Sequence, residues 1–159
     1  MSQLTFNRSP QHKQDTHHET IKSGDFYPSI DLNHMREAMR IDSTVTSERL
    51  YQVATEAVIH VNQQLHSIEQ QAAIHHWQTL ADSKPQQING NNLAVTHYRH
   101  AVYNYAKALL SERYSDYDAT GKTVSRTDAK LQHADDYRRE CYYAIADLLG
   151  QQRIDSELI

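Results

Sequence analysis

From Leu50 onward an apolar side chain recurs every third or fourth position: Leu50, Val53, Ala57, Val58, Val61, Leu65, Ile68 and Ala72. That spacing lines one side of an α-helix. It predicts a long helix that starts from a cap at Thr46 or Ser47 and reaches Trp77, with Glu48 in the first turn where the helix dipole favours an anion. A shorter helix is predicted over residues 32–41. Asp31 offers its N-cap oxygen, Leu32, Met35, Met39 and Ile41 form its apolar side, and Asp42-Ser43-Thr44 breaks it. A third helix follows Asn91 or Asn92, with Leu93, Tyr98, Val102, Tyr105, Ala108 and Leu109 on one side. A fourth is capped by Thr127, carries Leu131, Ala134, Tyr137, Cys141, Ala144, Ile145 and Leu148, and stops at Gly150. Residues 82–92 and 115–126 read as connections, marked by Pro85, Asn89-Gly90 and Gly121. The pattern predicts an all-α fold, a bundle of four main helices over residues 26–150. A polar N-terminal arm (1–25) precedes it and a short C-terminal tail (151–159) comes after it.

Composition adds that the core is thin. Leu, Ile, Val and Phe make up 31 of the 159 residues, near the lower edge for folded chains. A net charge of -4 is too small to hold the chain unfolded by repulsion. Ten Tyr against two Phe suit interfaces, where a ring is buried and its hydroxyl finds a partner, or else supplement the core. The slight acidity disfavours generic nucleic-acid binding, which needs clustered Lys and Arg. A single Cys141 excludes an internal disulfide and fits a reducing compartment. No apolar run approaches a membrane span, and no signal-peptide pattern is present. The expected place of synthesis is the cytoplasm.

The long second helix has an unusual polar face. Between Arg49 and Lys84 there is no Lys or Arg; Gln52, His60, Asn62, Gln63, Gln64, His66, Gln70, Gln71, His75 and His76 stand there instead. Neutral amides and imidazoles cost less to desolvate than charges. Gln63, Gln64, Gln70, Gln71, Tyr103 and Tyr142 are therefore candidates for a contact between subunits; the plain alternative is an ordinary solvated face.

Eleven His raise the question of a metal. His97 and His100 are three apart on one helix, a spacing that brings two imidazoles together. Glu-x-x-His and His-Glu-x-x-His are both absent, while His75-His76 and His17-His18 diverge on a helix. Cys141 falls on an apolar stripe, where a thiol acts as a small hydrophobe. Gly121-Lys122-Thr123 lacks the upstream Gly of a phosphate loop, since Asp116 stands five residues before it. No catalytic residue, metal or cofactor is predicted. The competing reading is a small helical metal-binding enzyme or regulator.

Phe26-Tyr27-Pro28-Ser29-Ile30-Asp31, leading into Met35-Arg36-Glu37-Ala38-Met39-Arg40-Ile41, resembles the start of the domain in the phage head completion protein family, the GpL type of contractile-tailed phages. Three later pieces agree in order and spacing. They are Thr44 to Leu50, then Leu80-Ala81-Asp82 with Ile88-Asn89-Gly90, then Tyr98 to Val102 with Ser111-Glu112-Arg113-Tyr114. The resemblance covers residues 26–159 and leaves the arm unmatched. It implies a structural role, not an enzyme: a head-to-tail connector of the virion, assembled in the host cytoplasm. Such a connector forms a ring beneath the portal protein, commonly twelvefold. It holds packaged DNA without reading its sequence and offers a docking surface to a tail completion or neck protein. The tail matches the family pattern only in ending on apolar residues, but connectors of similar architecture insert such an extension into the portal, so Arg153, Ile154, Ser156, Leu158 and Ile159 are the expected portal contacts; the plain alternative is a disordered tail. There the alternation of Ile154, Ser156 and Leu158 suits addition to a sheet edge.

Overall fold

The computed structural model describes residues 19–115 and 124–152. Among these residues lie five α-helices, one 3₁₀ turn and two small antiparallel sheets. The expectation of an all-α bundle of four thus needs two corrections.

The first correction is the sheets. β1 (Thr20–Ile21) pairs with β2 (Ile30–Asp31), so that Ile21 lies opposite Ile30 and both are buried. Residues 20–25, read as arm, are in this way joined to the folded body. β3 (Gln87–Ile88) and β4 (Asn91–Asn92) form a second hairpin. Asn89 and Gly90 between them both have positive φ, 51° and 76°. A two-residue primed turn needs that geometry, and Asn-Gly supplies it at little cost. Asn92 Nδ2 anchors the hairpin's base by donating to the carbonyls of Ala81 and Lys84, at 3.1 and 2.8 Å.

The second correction is a break in the long helix. α1 (Leu32–Ala38) is followed by α2 (Ser47–Gln64), and α3 (His66–His75) continues after a single non-helical residue, Leu65. Leu65 has φ -93° and ψ 7°, and its N–H bonds to both the Val61 and Asn62 carbonyls. No Gly or Pro causes this. The Tyr27 hydroxyl meets the Asn62 carbonyl at 3.5 Å beside the break.

Caps follow the sequence. Asp31 Oδ1 accepts from the N–H groups of Asn33 and His34, at 2.8 and 3.0 Å. Thr46 Oγ1 accepts from Arg49 N at 3.3 Å. α3 ends at His76 in the left-handed region, and the 3₁₀ turn Leu80–Ser83 is closed by a capping box between Thr79 and Asp82.

α4 (Leu93–Ser115) is the axis of the fold, packed against α2 and against α5 (Val124–Leu149). Ala94, Tyr98, Ala101, Val102, Tyr103, Ala106, Ala108, Leu109 and Leu110 are all buried. A helix covered on several sides loses its one-sided stripe, and its small Ala residues let neighbouring backbones approach. α5 begins at Val124, three residues before the expected cap at Thr127, which lies inside the helix. Ala134, Cys141, Ala144, Ile145 and Leu148 are buried as the stripe predicted. Arg138 holds α5 to α4 by a two-pronged ion pair with Glu112, Nη1 to Oε1 and Nη2 to Oε2, the latter at 2.7 Å.

Candidate functional site

The outward side of α2 and α3 is the first candidate surface. Gln52, Glu56, Ile59 and Gln63 succeed one another at helical spacing on α2, and His66, Gln70 and Ile74 do so on α3; all are exposed. Two of these are large apolar residues: Ile59 is 54% and Ile74 72% exposed. Glu56 is the one carboxylate on the α2 row, and Arg113 of α4 neutralises it at 2.6 Å. Of the residues expected at a subunit contact, Gln63, Gln64, Gln70 and Gln71 all face outward here.

Asn62 belongs to the same polar run but faces inward. Its side chain accepts from the Tyr98 hydroxyl and donates to Ser23 Oγ, both at 2.7 Å. Tyr98 in turn stacks on Tyr27 with ring centres 5.4 Å apart. Burial pushes both phenols well above the ordinary tyrosine range.

The two tyrosines named for the contact part company. Tyr103 is buried, with its hydroxyl 2.8 Å from His34 Nδ1 and 3.4 Å from the Asp31 carbonyl it donates to. It ties α4 to the start of α1. Tyr142 is 46% exposed and stands edge-on to His60, which stacks flat on Tyr105 with ring centres 4.0 Å apart. The cluster joins α2, α4 and α5. Burial, and then the nearby Arg138 charge, lower the His60 pKa, and its Nε2 is buried with no partner among the described residues.

A second feature lies where α5 ends. A cleft of about 290 Å³ opens between α3, the 3₁₀ turn and the last turn of α5, lined in part by Ile68, Trp77, Lys84, Leu148 and Gln151. The residues expected to reach the portal, Arg153, Ile154, Ser156, Leu158 and Ile159, lie outside the described residues, as do Gly121-Lys122-Thr123 and His17-His18.

The two histidines considered as ligands do not converge on one point with other donors. His97 sits 3.6 Å from Asp147 of α5, while His100 is exposed. Among the described residues no three His, Cys, Asp or Glu side chains gather as metal ligands would. Cys141 is buried, and burial pushes its thiol up to about 12, far from the thiolate a nucleophile requires. No helix of the described residues is long and apolar enough to cross a membrane.

Against this geometry the comparisons with known proteins are decisive. The family model for the phage head completion protein (GPL) matches residues 21–159. The chain belongs to the phage head completion protein family. It is similar to the head completion/stabilization protein of Escherichia phage P2, at 32% identity over 133 residues, covering 84% of this chain and 79% of that protein. No solved structure matches the chain. The family match starts at Ile21, inside β1, so all of the first hairpin but Thr20 lies within the matched region.

Sequence reasoning missed Ile59, Ile74 and the cleft. Both isoleucines stand off the buried stripe, on the amide face, and that displacement was a usable signal. The cleft had none, because its walls come from residues 67–84 and 148–151.

Proposed function

We propose that this protein is a structural component of the virion that completes the DNA-filled head as a head-to-tail connector. It binds beneath the portal protein after packaging, closes into a ring, holds the genome, and offers its lower surface to a tail completion or neck protein. DNA passes its lumen without being read in sequence. The observation that carries the reading, given the family, is the exposed and nearly uncharged row on α2 and α3 with Ile59 and Ile74 in it. Such a row is cheap to desolvate, and a contact between unlike surfaces repeated about an axis closes into a ring. The role is structural rather than catalytic; the inert Cys141 thiol supports this.

The test is nuclease protection of packaged DNA in heads assembled without the protein. The reading expects DNA to leak and become digestible, and added purified protein to restore protection. Heads that keep their DNA and accept tails without it would contradict the proposal.

A further inference from the structure

Among the described residues the exposed large apolar side chains are Ile59, Ile74, Ile88 and Tyr142. Three of them stand on helices. Ile88, 64% exposed, stands instead on the β3–β4 hairpin, beside its Asn89-Gly90 turn. Residues 86–92, which make up that hairpin, carry no charge. The hairpin is also held stiffly. Ile88 pairs with Asn91, Leu93 N donates to the Gln86 carbonyl at 2.8 Å, and the Asn92 amide fixes the base. A side chain on so fixed an element loses little freedom when a partner covers it.

A surface of matching chemistry lies where α2, α4 and α5 meet. Ile59 immediately precedes His60, on which Tyr142 of α5 stands edge-on. The charges beside them are closed in pairs. Glu56, one turn before Ile59, is held by Arg113, and Arg138, close to His60, is held by Glu112. An exposed aromatic and an exposed aliphatic side chain bordered by neutralised charge have the make-up of an interface centre.

The hairpin does not cover this patch within its own subunit. It joins α4 at Leu93, whereas the His60 ring stacks on Tyr105, twelve residues further along the same helix and about 18 Å away along its axis. The two-residue strands of the hairpin span only about 7 Å. A second copy is the occupant that the ring supplies. A contact that closes a ring joins two unlike surfaces, while the outward row of α2 and α3 set against itself would give a twofold pair. Ile74 belongs to that same row, so Ile88 is the exposed apolar residue left for the opposite side of the contact among the described residues.

We infer that the β3–β4 hairpin of one copy seats on the α2–α5 junction of the next, with Ile88 between Ile59 and Tyr142 and the Asn89 amide at the Tyr142 hydroxyl. Two uncharged surfaces meet there, so neither has to strip water from an unpaired charge. The inference rests on the ring reading above and names the two faces of its contact.

The test is a chain carrying Ile59→Cys and Ile88→Cys, bound to purified portal and oxidised. Cys141 is buried and stays apart from the reaction. Non-reducing electrophoresis should show a ladder that continues beyond the dimer and needs both cysteines. Dimers from Ile59→Cys alone would reveal a twofold contact and overturn the inference. So would the absence of a ladder while native mass spectrometry shows several copies on each portal; that result leaves the ring reading in place. Portal that joins no copies of the unmodified chain would remove the ring reading and the inference together. A second measurement uses no cysteine. Ile59→Glu and Ile88→Lys should each raise the protein concentration needed for assembly on the portal by roughly tenfold, and the two together should restore it, because the introduced charges then face each other. Additive losses in the paired variant would overturn the inference.

Discussion

The Tyr98 hydroxyl donates to Asn62 Oδ1 at 2.7 Å, and the Asn62 amide passes the connection to Ser23 Oγ at 2.7 Å. One amide thereby fastens the N-terminal hairpin to the buried central helix. Tyr98→Phe keeps the ring and its stack on Tyr27 but leaves the amide oxygen without this donor. The expected loss is about 1–2 kcal/mol of unfolding free energy, since a half-satisfied buried pair costs more than a missing one. Urea unfolding of the two proteins measures it, and equal midpoints would mean that the network contributes no stability.

His60 sets a pH dependence. Its folded pKa is depressed, first by burial and then by Arg138. Tyr105 and Tyr142 are the aromatic groups facing it. Between the ordinary imidazole value of about 6.5 and the lower folded value, the unfolded chain binds a proton that the folded chain refuses. The stability is therefore complete above about 6.5 and is lost as pH falls toward the folded value. His60→Phe keeps a flat ring on Tyr105 and removes the unpartnered Nε2. Its unfolding midpoint should fall less steeply than the parent's between about pH 7.5 and 5.5, and should match or exceed the parent's at the upper end of that range. A parallel pair of curves would refute the assignment.

What could be read in the chain was local. Asp31, Thr46 and Gly150 did what their side chains or lack of one predict, because a cap involves atoms only a few residues apart. The stripes of α2 and α5 were legible because each helix has one dry side. α4 was legible as a helix, but its burial on several sides was not: an all-round cover needs two partners. That is why Tyr103, read as a candidate contact, is found inside. The break at Leu65 carries no Gly or Pro to mark it, and the first hairpin rests on a pairing of Ile21 with Ile30 that two-residue strands do not announce. Asn89-Gly90 did carry its signal as a primed turn, and only the lack of alternating apolar neighbours hid it.

Charging the amide face tests the subunit contact. Gln63→Lys with Gln70→Lys places two cations on a row that holds none, at positions exposed to solvent in the single subunit. Unfolding free energy should stay within about 0.5 kcal/mol of the parent, as surface changes usually do. Recovery of completed heads should fall sharply. If heads are completed at the parental yield, the contact lies on another face, and Ile59→Glu and Ile74→Glu should then be silent as well.

Native mass spectrometry of purified portal mixed with this protein addresses the central claim most directly. The account predicts one large species in which several copies of this chain join each portal ring, at micromolar concentration and without added DNA. Two separate populations, free portal and free subunit, under the same conditions would contradict it.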